Sequence, residues 1–197
     1  MAKAKHIQVK DKSQLIIMAV AALALVGIIV ATAVAIVNHR GSGALSAQTT
    51  INSITSYEPI ALASGAEKEG ITDAARCLNE KGDFVCYAVT GFGEGFNDRV
   101  GVISYLSEDG TKLIGIRVSS NLETKDYGKE VEDSPFVQRF DGAKLPVWLY
   151  DGSVAEENMG KQSGTKIDAL SGATVSSRAV VDAVNAAYTY FQNHMKK

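Results

Sequence analysis

The sequence predicts an α+β domain, an antiparallel or mixed sheet with flanking helices, preceded by one N-terminal transmembrane helix. Three observations carry this expectation. Leu15 to Val37 is an apolar run of about 23 residues with no charge and no proline. The middle of the chain alternates β-forming residues around turn signals, and the last stretch repeats its apolar residues at helical spacing. Strands first and a long closing helix make an α+β domain, not an alternating α/β one.

The apolar run comes first in the chain. At 1.5 Å per residue it extends about 34 Å, enough for a hydrocarbon core of about 30 Å. Ala31-Thr32-Ala33 and Ala33-Val34-Ala35 offer small-residue cleavage sites, so a removed signal peptide is the alternative. The apolar core of such a peptide is only about 7 to 15 residues long, and the run therefore reads as a retained anchor. Lys3, Lys5, Lys10 and Lys12 precede it, whereas Arg40 is the one full positive charge that follows closely. That bias places the N-terminus in the cytoplasm. The expected plan is residues 1–14 in the cytoplasm, 15–37 across the inner or plasma membrane, 38–66 as a spacer, and 67–197 as an extracytoplasmic domain, periplasmic or on the outer face.

The chain carries 20 Lys+Arg against 22 Asp+Glu, but residues 1–40 hold five of the bases and one of the acids. The exported remainder is thus acidic, which argues against nucleic acid and anionic lipid as its partners. His6, His39 and His194 lie near a chain end or beside the anchor, leaving no core histidine for zinc or for catalysis. Cys77 and Cys86 flank the turn-like Asn79-Glu80-Lys81-Gly82-Asp83. A hairpin-closing disulfide and a pair of free thiols both remain open.

After the Gly-, Ser- and Ala-rich spacer, the fold proper is expected to start near Glu67. A short helix is expected around Ile71 to Leu78, then a strand from Phe84 to Thr90 that ends at Gly91. Arg99 to Leu106 and Lys112 to Ser119 read as two strands joined at Asp109-Gly110, a strong short hairpin signal. Glu130 to Phe140 suits a short helix interrupted by Pro135, and Leu145 to Tyr150 another strand. From Val175 to Met195 the residues Val180, Val181, Val184, Ala187, Tyr188 and Phe191 recur as one helical face.

Where the loop after Lys166 enters that last helix, the chain reads Asp168-Ala169-Leu170-Ser171-Gly172-Ala173-Thr174. Small residues let a backbone approach a ligand closely, and the free N–H groups and positive dipole end of a helix favour an anion such as a phosphate. The residue types alone also fit a plain helix cap, for which Ser and Thr are preferred.

The whole string, Asp, two residues, Ser or Thr, then Gly-Ala-Thr, resembles the flavinylation motif of the FMN-binding domain family. The resemblance runs over about residues 88 to 190. It includes Gly91-Phe92-Gly93-Glu94-Gly95, the Asp109-Gly110 hairpin, and Glu123-Thr124 ahead of Gly128. It implies that the Thr174 hydroxyl is esterified to the phosphate of FMN by a separate magnesium-dependent flavin transferase that uses FAD, with Asp168, Ser171, Gly172 and Ala173 as recognition positions. Glu123 and Thr124 match positions near the flavin. Many members read Glu-Thr-Pro-Gly-Leu-Gly there; this chain reads Glu123-Thr124-Lys125-Asp126-Tyr127-Gly128, so the carry-over stops at Thr124.

Other readings of the same residues are blander. Gly91 to Gly95 is too compact for a dinucleotide loop and suits a strand-end turn. Glu123 suits a solvated loop acid as well as a base. Trp148, Tyr105, Tyr127 and Tyr150 suit packing as well as ring stacking. No nucleophile and base set and no metal cluster stands out, so no catalytic residue is assigned and a bound flavin would make the chain an electron relay. Length and a single N-terminal helix look most like the G-subunit branch of the family. What this implies is a subunit of the Rnf membrane complex, a translocase that couples electron flow between ferredoxin and NAD to sodium or proton transport, with the other membrane subunits as partners. A stand-alone anchored flavoprotein, a quinone-reductase C-type subunit and a non-redox anchored binding module are the alternatives.

Overall fold

The computed structural model describes residues 47–125, 128–153 and 162–196. The transmembrane helix expected at 15–37, its cytoplasmic flank and the first part of the spacer lie outside the described residues. Among the described residues no helix is long and apolar enough to cross a membrane.

Five strands form an antiparallel meander in the order β1 (Ser56–Pro59), β2 (Ile71–Leu78), β3 (Phe84–Glu94), β4 (Arg99–Leu106) and β5 (Leu113–Ser120). Each strand pairs with the next in sequence, so short turns suffice for the last three connections. Asn79 closes the β2–β3 turn by accepting hydrogen bonds on its Oδ1 from the amides of Lys81 and Asp83, both at 2.9 Å. Gly110 supplies the left-handed residue of the β4–β5 turn at φ 64°.

Two expectations for this sheet are corrected. Ile71 to Leu78 is a strand, not a helix. A register shift between Ile71 and Asp73 breaks the two-residue alternation and puts Ile71 and Ala74, three residues apart as on a helix, in the same core. The β3 strand does not stop at Gly91 but runs on to Glu94. Its glycines answer a packing demand, since a Cβ on Gly93 would lie 1.9 Å from the Ala179 carbonyl oxygen and one on Gly91 2.9 Å from that of Ala183. Gly91 and Gly93 share one face of the strand, and Ala179 and Ala183 are one helical turn apart. The long helix, Thr174–Tyr190, therefore beds directly on β3.

That helix buries Ala179, Val180, Val181, Ala183, Val184 and Ala187 against Ile71, Val89, Val100, Val102 and Leu106 of the sheet. The other sheet face carries a smaller core of Cys77, Cys86, Ala88 and Tyr105, covered by Ile51 from a helical turn at 47–52. Together with β1, this turn brings the fold forward of Glu67 into the segment expected as spacer. Cys77 and Cys86 face each other across β2 and β3 as buried free thiols. The hydrogen bond from its neighbour and burial both push the Cys86 thiol up.

Glu130 to Phe140 is a chain of short turns, with Gly128–Glu132 and Gln138–Phe140 as 3-10 segments around the helix Ser134–Val137. Pro135 sits in the first turn of that helix, where its missing N–H costs nothing. Beyond it, β6 (Val147–Tyr150) pairs in parallel with β7 (Thr165–Asp168) as a separate two-stranded sheet. Lys166 and the two residues after it belong to strand β7, and the expected loop is confined to 169–173. Asn185 of the long helix completes the β6 edge, accepting from the Val147 amide at 3.0 Å and donating to the Val147 carbonyl at 2.8 Å. The chain then passes from β7 through 169–173 into the long helix.

Candidate functional site

The junction between β7 and the long helix is a tight turn. The Ala173 amide donates to the Leu170 carbonyl at 3.1 Å, and Gly172 at φ 78° occupies the third position, the pattern of a type II turn. Buried Ser177 pins the turn from within the helix, its hydroxyl accepting from the Leu170 amide at 3.1 Å. Ala173 is the N-cap and no side chain caps the helix. Thr174 is consequently the first helical residue. Its hydroxyl has no hydrogen-bond partner among the described residues, so the capping role that Ser and Thr usually fill does not account for it. The first amides of the helix have no partner within it, and the helix behind them runs for 17 residues. Both features favour an anion at Thr174.

Two hollows meet at this residue. One, of about 530 Å³, is lined by Phe96, Glu123, Thr124, Gly128 and the run Gly172 to Ser176. The other, of about 400 Å³, is lined by Tyr150, Asp151, Gly152, Asp168 to Gly172, and Thr174. The expected site residues thus divide: Glu123, Thr124 and Ala173 stand on the first hollow and Asp168 and Ser171 on the second, while Gly172 and Thr174 belong to both. Asp168 is exposed, and its carboxylate pairs with Lys166 at 2.9 Å.

Glu123 is not the solvated loop acid of the bland reading. It is 5% exposed. Its carboxylate accepts from the backbone amides of Phe96 at 2.9 Å, Asn97 at 2.8 Å and Asp98 at 3.2 Å, and from the Ser176 hydroxyl. Burial pushes the Glu123 carboxyl up; the bonds from Ser176 and the three amides outweigh it and hold the group below its ordinary value. Thr124 joins the same loop, its hydroxyl accepting from the Asn97 side-chain amide at 2.7 Å.

Phe96, Ser176 and Gly95 were not among the residues expected here. Phe96 is 75% exposed and lines the larger hollow, an unusual place for a large apolar side chain, and Val175 and Leu122 are also largely exposed around the start of the helix and Glu123. Of the aromatics weighed for stacking, Tyr105 is buried in the far core, Tyr150 lines the second hollow, Trp148 packs edge-on to Tyr150, and Tyr127 lies outside the described residues. The legible signal for Phe96 was its place directly after the glycine-rich stretch.

A strand-to-helix turn with an uncommitted hydroxyl beside a mainly apolar hollow defines a ligand-binding domain of a particular class. Residues 95–189 match the model of the FMN-binding domain family. Among individual proteins, it is similar to the G subunit of the ion-translocating oxidoreductase complex of Shewanella piezotolerans, 32% identical over 127 residues that make up 62% of this chain and 57% of that one. The protein of the same name from Methanosarcina acetivorans is 31% identical over 113 residues, 57% of this chain and 55% of that one. The chain therefore spans little more than half the length of these relatives. Two crystal structures share the fold. The C subunit of the Na(+)-translocating NADH-quinone reductase from Parabacteroides distasonis aligns with a TM-score of 0.56 at 16% identity, covering 76% of this chain and 82% of that one. NqrC of Shewanella oneidensis aligns at 0.51 and 22% identity, covering 63% and 60%.

Proposed function

We propose that this chain is the covalent-FMN electron carrier of an Rnf-type ion-translocating membrane complex, with Thr174 as the point of attachment. The observation that supports it most directly is Thr174, half-buried at the first position of the helix, its hydroxyl without a hydrogen-bond partner among the described residues and on the border of both hollows. The residues present fit the group. A hollow of about 530 Å³ with mainly apolar walls falls within the range of about 300 to 1,000 Å³ common for small-molecule sites, and the free helix amides suit a phosphate.

In maturation, Thr174 Oγ would be the acceptor of the FMN phosphate, with a flavin transferase supplying it from FAD, AMP as the leaving group and a base of the transferase taking the hydroxyl proton. Bound FMN supplies one- and two-electron transfer. The chain's own part would be to hold the phosphate at the helix start, with Phe96 and Val175 as apolar walls of the hollow beside it. The setting is the single-pass topology expected from the sequence, with the domain outside, the other complex subunits as partners, and ferredoxin, NAD and the sodium or proton gradient handled elsewhere in the complex.

The test is co-expression of the full chain with a flavin transferase, followed by denaturation. Flavin fluorescence should stay with the polypeptide, and the peptide spanning Thr174 should carry the mass of FMN less water. Thr174→Val should lose both while keeping the fold. A wild-type chain that releases all its flavin on denaturation would sink the proposal.

A further inference from the structure

Glu123 stands where three segments converge. Its carboxylate ties the β3–β4 loop to the helix start: the amides of Phe96, Asn97 and Asp98 donate to it from one side and the buried Ser176 hydroxyl from the other. Its own amide is fixed by the Asn121 side-chain oxygen at 3.0 Å, and Asn121 in turn donates to the Lys129 carbonyl at 3.1 Å. Two glycines stand against it. A Cβ on Gly95 would lie 2.3 Å from the Asp98 carbonyl oxygen and 2.7 Å from Glu123 Oε1, and one on Gly128 2.2 Å from the Ser176 hydroxyl and 2.8 Å from Glu123 Oε2. Its partners among the described residues are hydrogen-bond donors, not cations, so geometry and not ion pairing holds it.

Three consecutive amides aimed at one carboxylate fix a loop as firmly as a bound anion would. That loop carries Phe96, and the helix turn that carries Ser176 also carries Thr174 and Val175. We propose that Glu123 is a positioning residue that holds the Phe96 loop at a set distance from the helix start, so that both walls of the larger hollow stand in place before any ligand arrives. The role assigned to the hollow rests on the FMN reading above; the clamp itself does not.

The test pairs Glu123→Gln with Ser176→Ala in the full chain. Hydrogen exchange is read first in a Thr174→Val background, which carries no covalent flavin. Glu123→Gln should speed exchange of the amides at 96–98 by about tenfold or more while the sheet amides keep their protection. Ser176→Ala leaves the three amide bonds intact, so those amides should stay protected. In chains with Thr174, both substitutions should slow flavin attachment, Glu123→Gln by about tenfold, and should weaken the visible circular dichroism of the attached flavin. Unchanged exchange at 96–98 overturns the clamp. Faster exchange with attachment rate and flavin dichroism unchanged overturns its positioning role. A wild-type chain without covalent flavin counts against the FMN reading alone, since the exchange arm still reads the clamp; if Glu123→Gln does not fold, Ser176→Ala with normal attachment and dichroism overturns the proposal.

Discussion

A buried and a half-buried carboxylate respond to acid in opposite directions. Glu123 is held below its ordinary value, so its contribution is fully present above the ordinary carboxylate range and is lost as the pH falls through its lowered folded value. Asp141 behaves the other way. Burial pushes its carboxyl up to about 6, so the folded state holds a proton that the unfolded chain has released, and stability falls as the pH rises from about 3.9 through 6. Asp141→Asn removes that penalty. The variant should melt roughly 2–4 °C higher than wild type at pH 7.5, with the gain fading below pH ~4. A gain that persists in acid would show that Asp141 affects stability by some other route. Thr174 contrasts with both, because its hydroxyl has no hydrogen-bond partner among the described residues.

At the scale of elements, the seat of the long helix on β3 decides the height of the site above the sheet. Gly93→Ala would place a methyl 1.9 Å from the Ala179 carbonyl oxygen, and it should cost about 3 kcal/mol, the upper end for overpacking. Gly91→Ala, with its nearest contact at 2.9 Å, should cost less. Urea midpoints would rank them; a Gly93→Ala loss below about 1 kcal/mol would mean the helix shifts freely. These glycines also show where reading the sequence stopped. The hairpin at Asp109-Gly110 and the apolar stripe of the last helix were plain, because each is specified by neighbours in the chain. The role of Gly91 and Gly93 was not, because the helix that presses on them comes some ninety residues later. The β2 strand was read as a helix because its bulge imitates helical spacing, and β7 was passed over because Ile167 is its one apolar residue. The same division holds at the site. The turn before Thr174 and the helix start with Ser176 lie in one contiguous string, whereas Phe96 joins them only through Glu123, twenty-seven residues away along the chain.

For the whole molecule, the proposed arrangement is a sheet-and-helix domain carried outside the membrane by a single anchor. A protease added to the outer face of intact cells should release the domain, with the cut ahead of Ala47, since from there on the chain is engaged in helical turn and strand. Release only from the cytoplasmic side would reverse the orientation. Thr174 stands on the border between two hollows, its hydroxyl without a hydrogen-bond partner among the described residues. Under the proposed attachment, loading would ask nothing of the architecture: no bond among the described residues would have to break to expose the acceptor, and none would be lost when it is used. An empty chain and a charged one would then share one shape, and the chain could wait, folded but uncharged, until its cofactor arrives.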